Sequence, residues 1–155
     1  GRLNIGGLEQ AASGAPYGAV GTVDTRPYVT NPGYSNPPAT VGYWFTARDA
    51  FRTAKSIRTD LSLNYSRKVA KKADLFARFT AQNVFNRQAL ENLNSISTSV
   101  RTNATNSTLY TRFNPFSTQP VQGVNWDLAP TFGQPLDRFA YTTPRTIQFS
   151  VGVRF

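Results

Sequence analysis

The sequence predicts an all-β fold, and three observations support this prediction. The last ten residues alternate strictly between apolar and polar side chains. Two further alternating runs, within residues 60–66 and 74–82, are separated only by a short basic link. Helical spacing is nearly absent, because neither 47–55 nor 88–93 carries a convincing apolar stripe. Alternation with a period of two, in runs rich in β-branched and aromatic residues, is typical of strands with one apolar and one polar face.

Four strands are predicted from this pattern. The first is the weakest, because the adjacent Gly6 and Gly7 lower its strand propensity. The second and third are joined by the short link 67–73 and therefore form a hairpin. Asn83 and Asn86 predict a turn that starts the next loop, because asparagine hydrogen-bonds to local backbone. The predicted bounds are 2–10, 57–66, 74–85 and 145–155. The predicted apolar faces comprise Leu3 and Ile5, then Leu61, Leu63 and Tyr65, then Leu75, Ala77, Phe79 and Ala81, and finally Ile147, Phe149, Val151, Val153 and Phe155.

The other two connections are far longer than the hairpin link. Residues 11–55 give a loop of about 45 residues and 87–143 one of nearly 60, although compact soluble domains rarely tolerate irregular loops beyond about 12–15 residues. Strands of about ten residues, with short turns at one end and long loops at the other, are typical of outer-membrane β-barrels. In that setting the apolar face meets lipid and the polar face lines the lumen.

Four strands are too few for a closed barrel, since the smallest have about eight. An open four-stranded sheet in a membrane would leave two edges unpaired. We therefore expect residues 1–155 to be the C-terminal segment of one larger barrel domain. The chain starts Gly1-Arg2-Leu3 without a methionine, so we expect its targeting information to lie upstream.

The composition excludes several kinds of chemistry. The chain has no Cys, no His and no Met, so it cannot form a disulfide framework, a Cys/His metal site or a histidine-centred triad. Its eight carboxylates are dispersed, and we expect neither an enzyme nor a cofactor. The net charge is +9, yet basic and aromatic residues are not interleaved on one sheet face, so nucleic acid is not an expected partner. The densest basic cluster falls in the predicted turn and comprises Arg67, Lys68, Lys71 and Lys72.

Candidate contact residues lie in the two long loops. The run Arg48-Asp49-Ala50-Phe51-Arg52 carries two guanidinium groups that can bind phosphates of a substrate or of lipopolysaccharide. The favoured alternative is an Arg–Asp pair that fixes the loop to the barrel rim. The run Tyr43-Trp44-Phe45 is typical of an interfacial aromatic belt, with stacking on a sugar or peptide as the alternative. Aromatic residues of the second loop are expected to pack together. The candidate rim or ligand contacts are Arg48, Asp49, Arg52, Trp44 and Trp126.

Six segments, in order along the chain, give it a family resemblance from end to end. The segments are Ser13–Ala19, Phe45–Thr53, Thr59–Ser66, Gln82-Asn83-Val84-Phe85-Asn86, Phe113-Asn114-Pro115-Phe116 and Pro144–Phe155. Each motif alone has moderate specificity, and the combination in this order, ending on a phenylalanine, is specific. With these segments the chain resembles the C-terminal portion of a TonB-dependent outer-membrane receptor, and is most similar to the Oar-like branch that bears a carboxypeptidase regulatory domain.

The resemblance implies a barrel of the 22-stranded type, closed by an upstream plug domain that contacts an inner-membrane TonB complex. Its last strand would end at the periplasm, which makes both long loops extracellular and 67–73 a periplasmic turn. The implied partners are outer-membrane lipid and lipopolysaccharide, the plug domain with the TonB system, and an unidentified nutrient. The implied location is the outer membrane of a bacterial cell.

The C-terminal strand resembles the signal that the barrel-assembly machinery recognises. Its alternate apolar side chains form a hydrophobic ridge on a strand whose edge must find a partner. An assembly factor can recognise such a ridge by strand addition, with pockets for alternate side chains. The alternative is that these residues only face lipid. They are Phe149, Val151, Val153 and Phe155.

Three functional classes remain after these steps. The first is active nutrient uptake, to which this segment contributes barrel wall, extracellular loops and an assembly signal. The second is an adhesive or surface-binding barrel that transports nothing. The third is a secreted, soluble β-sandwich that binds carbohydrate, and the polar second faces of the strands argue against it.

Overall fold

The computed structural model describes residues 1–30, 33, 35, 38–106 and 108–155. Five residues of the predicted loop 11–55 and one of the loop 87–143 lie outside the described residues. The described chain is all-β and its sheets are antiparallel, which confirms the predicted fold class at that level. It separates into two compact units. Unit 1 comprises 1–15, 54–92 and 139–155, and unit 2 comprises 16–53 and 93–138.

Regular structure in the described residues consists of ten strands and three short 3-10 helices. In chain order the strands are β1 (Arg2–Ala12), β2 (Pro16–Tyr17), β3 (Val20–Val23), β4 (Val41–Trp44), β5 (Phe51–Arg52), β6 (Ser56–Ala70), β7 (Ala73–Gln82), β8 (Val100–Thr102), β9 (Trp126–Leu128) and β10 (Thr146–Arg154). The 3-10 helices are Arg26–Tyr28, Leu93–Ser95 and Arg138–Ala140.

Unit 1 contains one antiparallel sheet with the strand order β1-β6-β7-β10. These are the four strands predicted from the alternating runs, and β6 and β7 form the predicted hairpin. The turn is much tighter than the predicted 67–73. Arg67 and Lys68 belong to β6, and only Lys71 and Lys72 lie between the paired Ala70 and Ala73. The strand continues because Lys68 pairs with Asp74, and opposite charges directly across a ladder are favourable. A register shift between Lys68 and Ala70 accompanies the end of the ladder.

The strand β7 ends three residues earlier than predicted, for a conformational reason. Asn83 and Asn86 have φ angles of 50° and 48°, in the left-handed region that asparagine tolerates better than most residues. A left-handed residue cannot continue an extended ladder, so the strand ends at Gln82. The predicted asparagine turn is thereby confirmed.

Unit 2 is built from both long connections, which the sequence predicts as irregular loops. Short strands in them form three ladders, in which β2 pairs with β5, β3 with β4, and β8 with β9. The two connections also meet, because the backbone N–H of Val20 donates to the carbonyl oxygen of Thr98 at 2.9 Å. The described parts of the two predicted long loops therefore contain paired strands.

The core of unit 2 is mainly aromatic and combines both connections. Ala19, Val100 and Trp126 are buried at its centre. Phe45 from the first connection stacks on Trp126 from the second, with ring centroids 5.1 Å apart. Phe132 packs against Tyr17 and Phe51, with ring centroids 5.8 and 4.8 Å apart. The expected aromatic packing of the second loop is present, but its partners lie in the first loop.

None of the described residues belongs to a helix long and apolar enough to span a membrane.

Candidate functional site

One face of the unit 1 sheet is apolar across all four strands. The pairing register aligns Ile5, Leu63, Phe79 and Phe149 in one cross-strand row. Directly paired residues of a sheet point to the same face, so the row is a continuous apolar strip. The rows on either side of it are Leu3, Tyr65, Ala77 and Val151, and Gly7, Leu61, Ala81 and Ile147.

This apolar face is exposed to an extent that soluble proteins avoid. Ile5 is 70% exposed and Phe149 is 69% exposed. Even Leu63, on an inner strand, retains 38% of its surface. Scattered exposed apolar residues are ordinary, whereas a contiguous patch spread over four strands marks an interaction surface.

The opposite face of the same sheet is polar. One row contains Asn4, Asn64, Arg78 and Ser150, and the next contains Gly6, Ser62, Thr80 and Gln148. Phe76 interrupts this pattern, and Gly152 explains how it is accommodated. A Cβ atom at Gly152 would lie 2.6 Å from Cζ of Phe76, so the ring occupies the space that a side chain would take. A hydrated surface suits this face better than a packed core.

The ends of the sheet differ in their connections. β6 and β7 meet in the two-residue turn at Lys71 and Lys72. Both long connections leave from the opposite end, where Ala12 pairs with Ser56 and Gln82 pairs with Thr146. Among the described residues β1 and β10 are the outer strands, and their outer edges have no strand partner.

A polar cluster closes this end of the sheet. Asp60 accepts hydrogen bonds from Nε and Nη2 of Arg58, at 2.8 and 2.6 Å, and from the backbone N–H of Asn83, at 2.8 Å. The side chain of Asn83 donates to the carbonyl oxygens of Arg87 and Thr143, both at 2.9 Å. Its Oδ1 atom accepts the backbone N–H of Arg87 at 3.0 Å. Asn83 is only 2% exposed and therefore ties β7 to both ends of the second connection.

The candidate assembly residues all lie on the exposed apolar face or at its end. Val151 and Val153 are 57% and 47% exposed, and Phe155, one residue past β10, is 95% exposed. Because β10 is an outer strand, its backbone edge and this ridge are accessible together.

The candidate contacts of the first loop have different environments. The Arg48 guanidinium lies over the indole of Trp44, 4.9 Å from the ring centroid. Trp44 still keeps 44% of its surface exposed. Asp49 and Arg52 are exposed, and Arg52 pairs with Pro16 through its backbone. Within the described residues no ion pair joins Arg48 to Asp49, so the expected fixing pair is replaced by a cation–π contact.

Trp126 occupies a core position rather than a surface one. It is 5% exposed, and its ring packs against Phe45. The polar interactions next to Trp126 are made by the carboxyl group of its neighbour Asp127. Hydrogen bonds from the Gln122 side chain and the Leu128 backbone, helped by nearby Arg101, lower the pKa of the Asp127 carboxyl. The sequence does not reveal which aromatic residue of a loop is buried, because buried and exposed aromatic residues alike follow turn-forming residues.

Asp60 and Thr143 are the residues that sequence reasoning misses. Asp60 lies in a strand whose alternation places it on the polar face, where a carboxylate attracts no notice. Its sequence neighbour Arg58, two positions earlier on the same face, is the signal that a paired carboxylate is present.

No group of three or more acidic residues that could hold a metal ion occurs in the described part of the chain. Comparison of this chain with protein-family models, with curated proteins and with solved structures gives no match.

Proposed function

We propose that this chain is the C-terminal wall segment of a TonB-dependent outer-membrane receptor that takes up a nutrient. The observation that carries the proposal is the exposed apolar face formed by four strands in register. Lipid is the solvent in which such a face needs no protein cover. The polar opposite face would line a water-filled lumen.

The dimensions of the apolar face agree with a membrane barrel. On β6 its apolar residues lie between the polar residues Thr59 and Arg67, which are about 27 Å apart along the strand at about 3.4 Å per residue. A strand tilt of 35–45° reduces this to a height of about 20 Å, near the apolar band of roughly 25 Å in outer-membrane barrels. Polar residues bound the face at both ends, with Arg67 at the turn and the Glu9–Thr59 hydrogen bond at the loop end.

The topology favours the same interpretation. A tight turn at one end and two long connections at the other match the periplasmic and extracellular sides of an outer-membrane barrel. The outer strands β1 and β10 would pair with the remaining strands of a larger barrel of the 22-stranded type. The resemblance of six ordered segments to TonB-dependent receptors supplies the functional class.

The first test is the size and location of the native polypeptide. Cells are fractionated, and an antibody against residues 94–106 detects the protein. We expect a band several times larger than 17.1 kDa that stays in the outer membrane until detergent is added. A soluble species of 17.1 kDa would overturn the barrel and favour a secreted β-sandwich.

The adhesive barrel is separated from the transporter by the upstream sequence. A plug domain with a TonB-contacting segment supports transport, and uptake should then require an intact TonB complex. A barrel without a plug domain supports surface binding instead. In both cases the apolar face of unit 1 would contact lipid.

A further inference from the structure

A groove in unit 2 has the size and lining of a ligand site. It lies between residues 43–47 and 115–120, with a volume of about 550 Å³. Ligand pockets typically enclose about 300–1,000 Å³ and combine aromatic surface with a few polar groups. Both walls come from the long connections rather than from the four-stranded sheet.

The second wall of the groove is a fixed turn. Phe113 anchors it by packing edge-on against Tyr43 and Phe45, with centroids 5.7 and 6.1 Å apart. The side-chain oxygen of Asn114 accepts the backbone N–H of Phe116 at 3.0 Å, and the backbone carbonyl oxygen of Asn114 accepts the N–H of Thr118 at 2.9 Å. Such a turn presents the groove in a set shape and lowers the entropy lost when a ligand binds.

Exposed aromatic surface flanks the groove. Trp44 on the first wall is 44% exposed although Arg48 covers part of its ring. Phe116 on the second wall is 67% exposed. The turn holds its backbone in place through the hydrogen bond to Asn114. Rigid aromatic side chains of this kind provide contact area at low entropic cost.

The polar groups of the groove are all neutral. Ser117, Thr118 and Gln119 are exposed and offer hydroxyl and amide groups. The whole lining lies within the described residues and contains no charged side chain, and Arg48 adjoins it over the ring of Trp44. No carboxylate of the lining could pair with a cationic peptide, whereas neutral hydroxyl groups match the polar side chains of the groove.

We propose that this groove binds a neutral oligosaccharide, whose apolar ring faces stack on Trp44 and Phe116 while its hydroxyl groups bond to residues 117–119. As a statement about the cargo, this proposal rests on the transport function proposed above. The groove would hold the sugar at the loops before it reaches the lumen.

The experiment is calorimetric titration of the purified full-length protein in detergent. The probes are neutral hexasaccharides of glucose, mannose, xylose and N-acetylglucosamine, with oligogalacturonate and a proline-rich decapeptide as comparators. We expect saturable binding of at least one neutral hexasaccharide and of neither comparator. Trp44→Ala and Phe116→Ala should each weaken this binding roughly tenfold or more. The matched control is Leu109→Ala, which removes a side chain that is 62% exposed outside the groove and should leave binding unchanged.

Three results would overturn the proposal. They are the absence of saturable binding by every neutral hexasaccharide, tighter binding of the peptide or of the anionic sugar, and binding that survives both aromatic substitutions. Failure of the transport proposal is distinguishable, because it would appear as a soluble protein in the fractionation experiment whatever the titration shows.

Discussion

The side-chain amide of Asn83 donates a hydrogen bond to the carbonyl oxygen of Thr143, 2.9 Å away and 60 positions later in the chain. The same amide bonds to the carbonyl oxygen of Arg87. One buried side chain therefore holds the two ends of the second long connection together at the end of the sheet. This closes the connection at its base, so that the strands β7 and β10 emerge side by side.

Asn83→Ala should destabilise the protein by about 2–5 kcal/mol. The substitution removes the hydrogen bonds that a buried side chain makes to Arg87 and Thr143, at about 1–3 kcal/mol, and adds the cost of a left-handed alanine, at about 1–2 kcal/mol. Urea unfolding of the full-length protein in micelles measures the change. Asn83→Gly is the control, because it loses the same bonds but tolerates the φ of 50° and should be less destabilising than alanine. Equal stability of the wild type and the alanine variant would contradict the closing role.

Phe149→Lys should cost about 2–4 kcal/mol if this residue faces the middle of a bilayer. Its neighbour supplies a matched control, because Gln148 lies one residue earlier on β10 and points to the polar face. Gln148→Lys should cost less than about 0.5 kcal/mol, since a charge on a hydrated polar face stays solvated. Unfolding in lipid vesicles compares the two variants. Equal effects would place both side chains in the same solvent and contradict the proposal that the apolar face contacts lipid.

Three of the four long strands could be predicted because their alternation is maintained for seven or more residues, whereas in β1 it is limited to Leu3 and Ile5. The predicted hairpin of β6 and β7 forms the centre of the sheet, and β1 and β10 pair with its two sides. Unit 2 could not be predicted, because its strands have only two to four residues and show no period. Their partners also lie far away in sequence, as with Val20 and Trp44. The burial of Trp126 depends on those same pairings.

Removal of Phe155 should lower the amount of full-length protein in the outer membrane several-fold. Phe155 is 95% exposed at the end of an outer strand, so its loss alters recognition rather than core packing. Immunoblotting of membrane fractions gives the measurement. Phe155→Tyr keeps an aromatic ring at the same place and should assemble at the wild-type level. Normal assembly without Phe155 would contradict the proposed assembly role of the ridge.

The stability of unit 2 should fall in acid because of Asp127. Hydrogen bonds from the Gln122 side chain and the Leu128 backbone lower its pKa in the folded state, below the value of about 3.9 in an unfolded chain. The carboxylate therefore stabilises the fold above about pH 4, and this contribution is lost as the pH falls through the folded pKa. Asp127→Asn should be less stable than the wild type at pH 7, and the difference should decrease as the pH falls below about 4.

Thermal unfolding followed by tryptophan fluorescence tests this, because Trp126 is the adjacent residue. Gln122→Leu removes the first cause of the shift and should move the acid transition of the wild type to higher pH. A stability difference between wild type and Asp127→Asn that does not change between pH 3 and pH 7 would contradict the assignment.

Gly21→Ala should lower the free energy of unfolding of unit 2 by about 1–3 kcal/mol, the usual cost of overpacking a core. A Cβ atom at Gly21 would lie 2.2 Å from Cγ2 of Val100 and 3.1 Å from Cε2 of Phe45. Val100 is 5% exposed and β-branched, so it cannot turn away. The glycine thus allows β3 from the first connection and β8 from the second to approach closely.

Gly42 provides the matched control on the neighbouring strand. It pairs with Thr22 in the same ladder, and a Cβ atom there would meet no atom of the described residues within 4 Å. Gly42→Ala should therefore be neutral or slightly stabilising, because alanine restricts the unfolded chain more than glycine does. Limited proteolysis of the full-length protein measures local opening of unit 2. We expect faster cleavage within 93–138 for Gly21→Ala than for Gly42→Ala. Equal rates would show that the two connections do not pack together in solution.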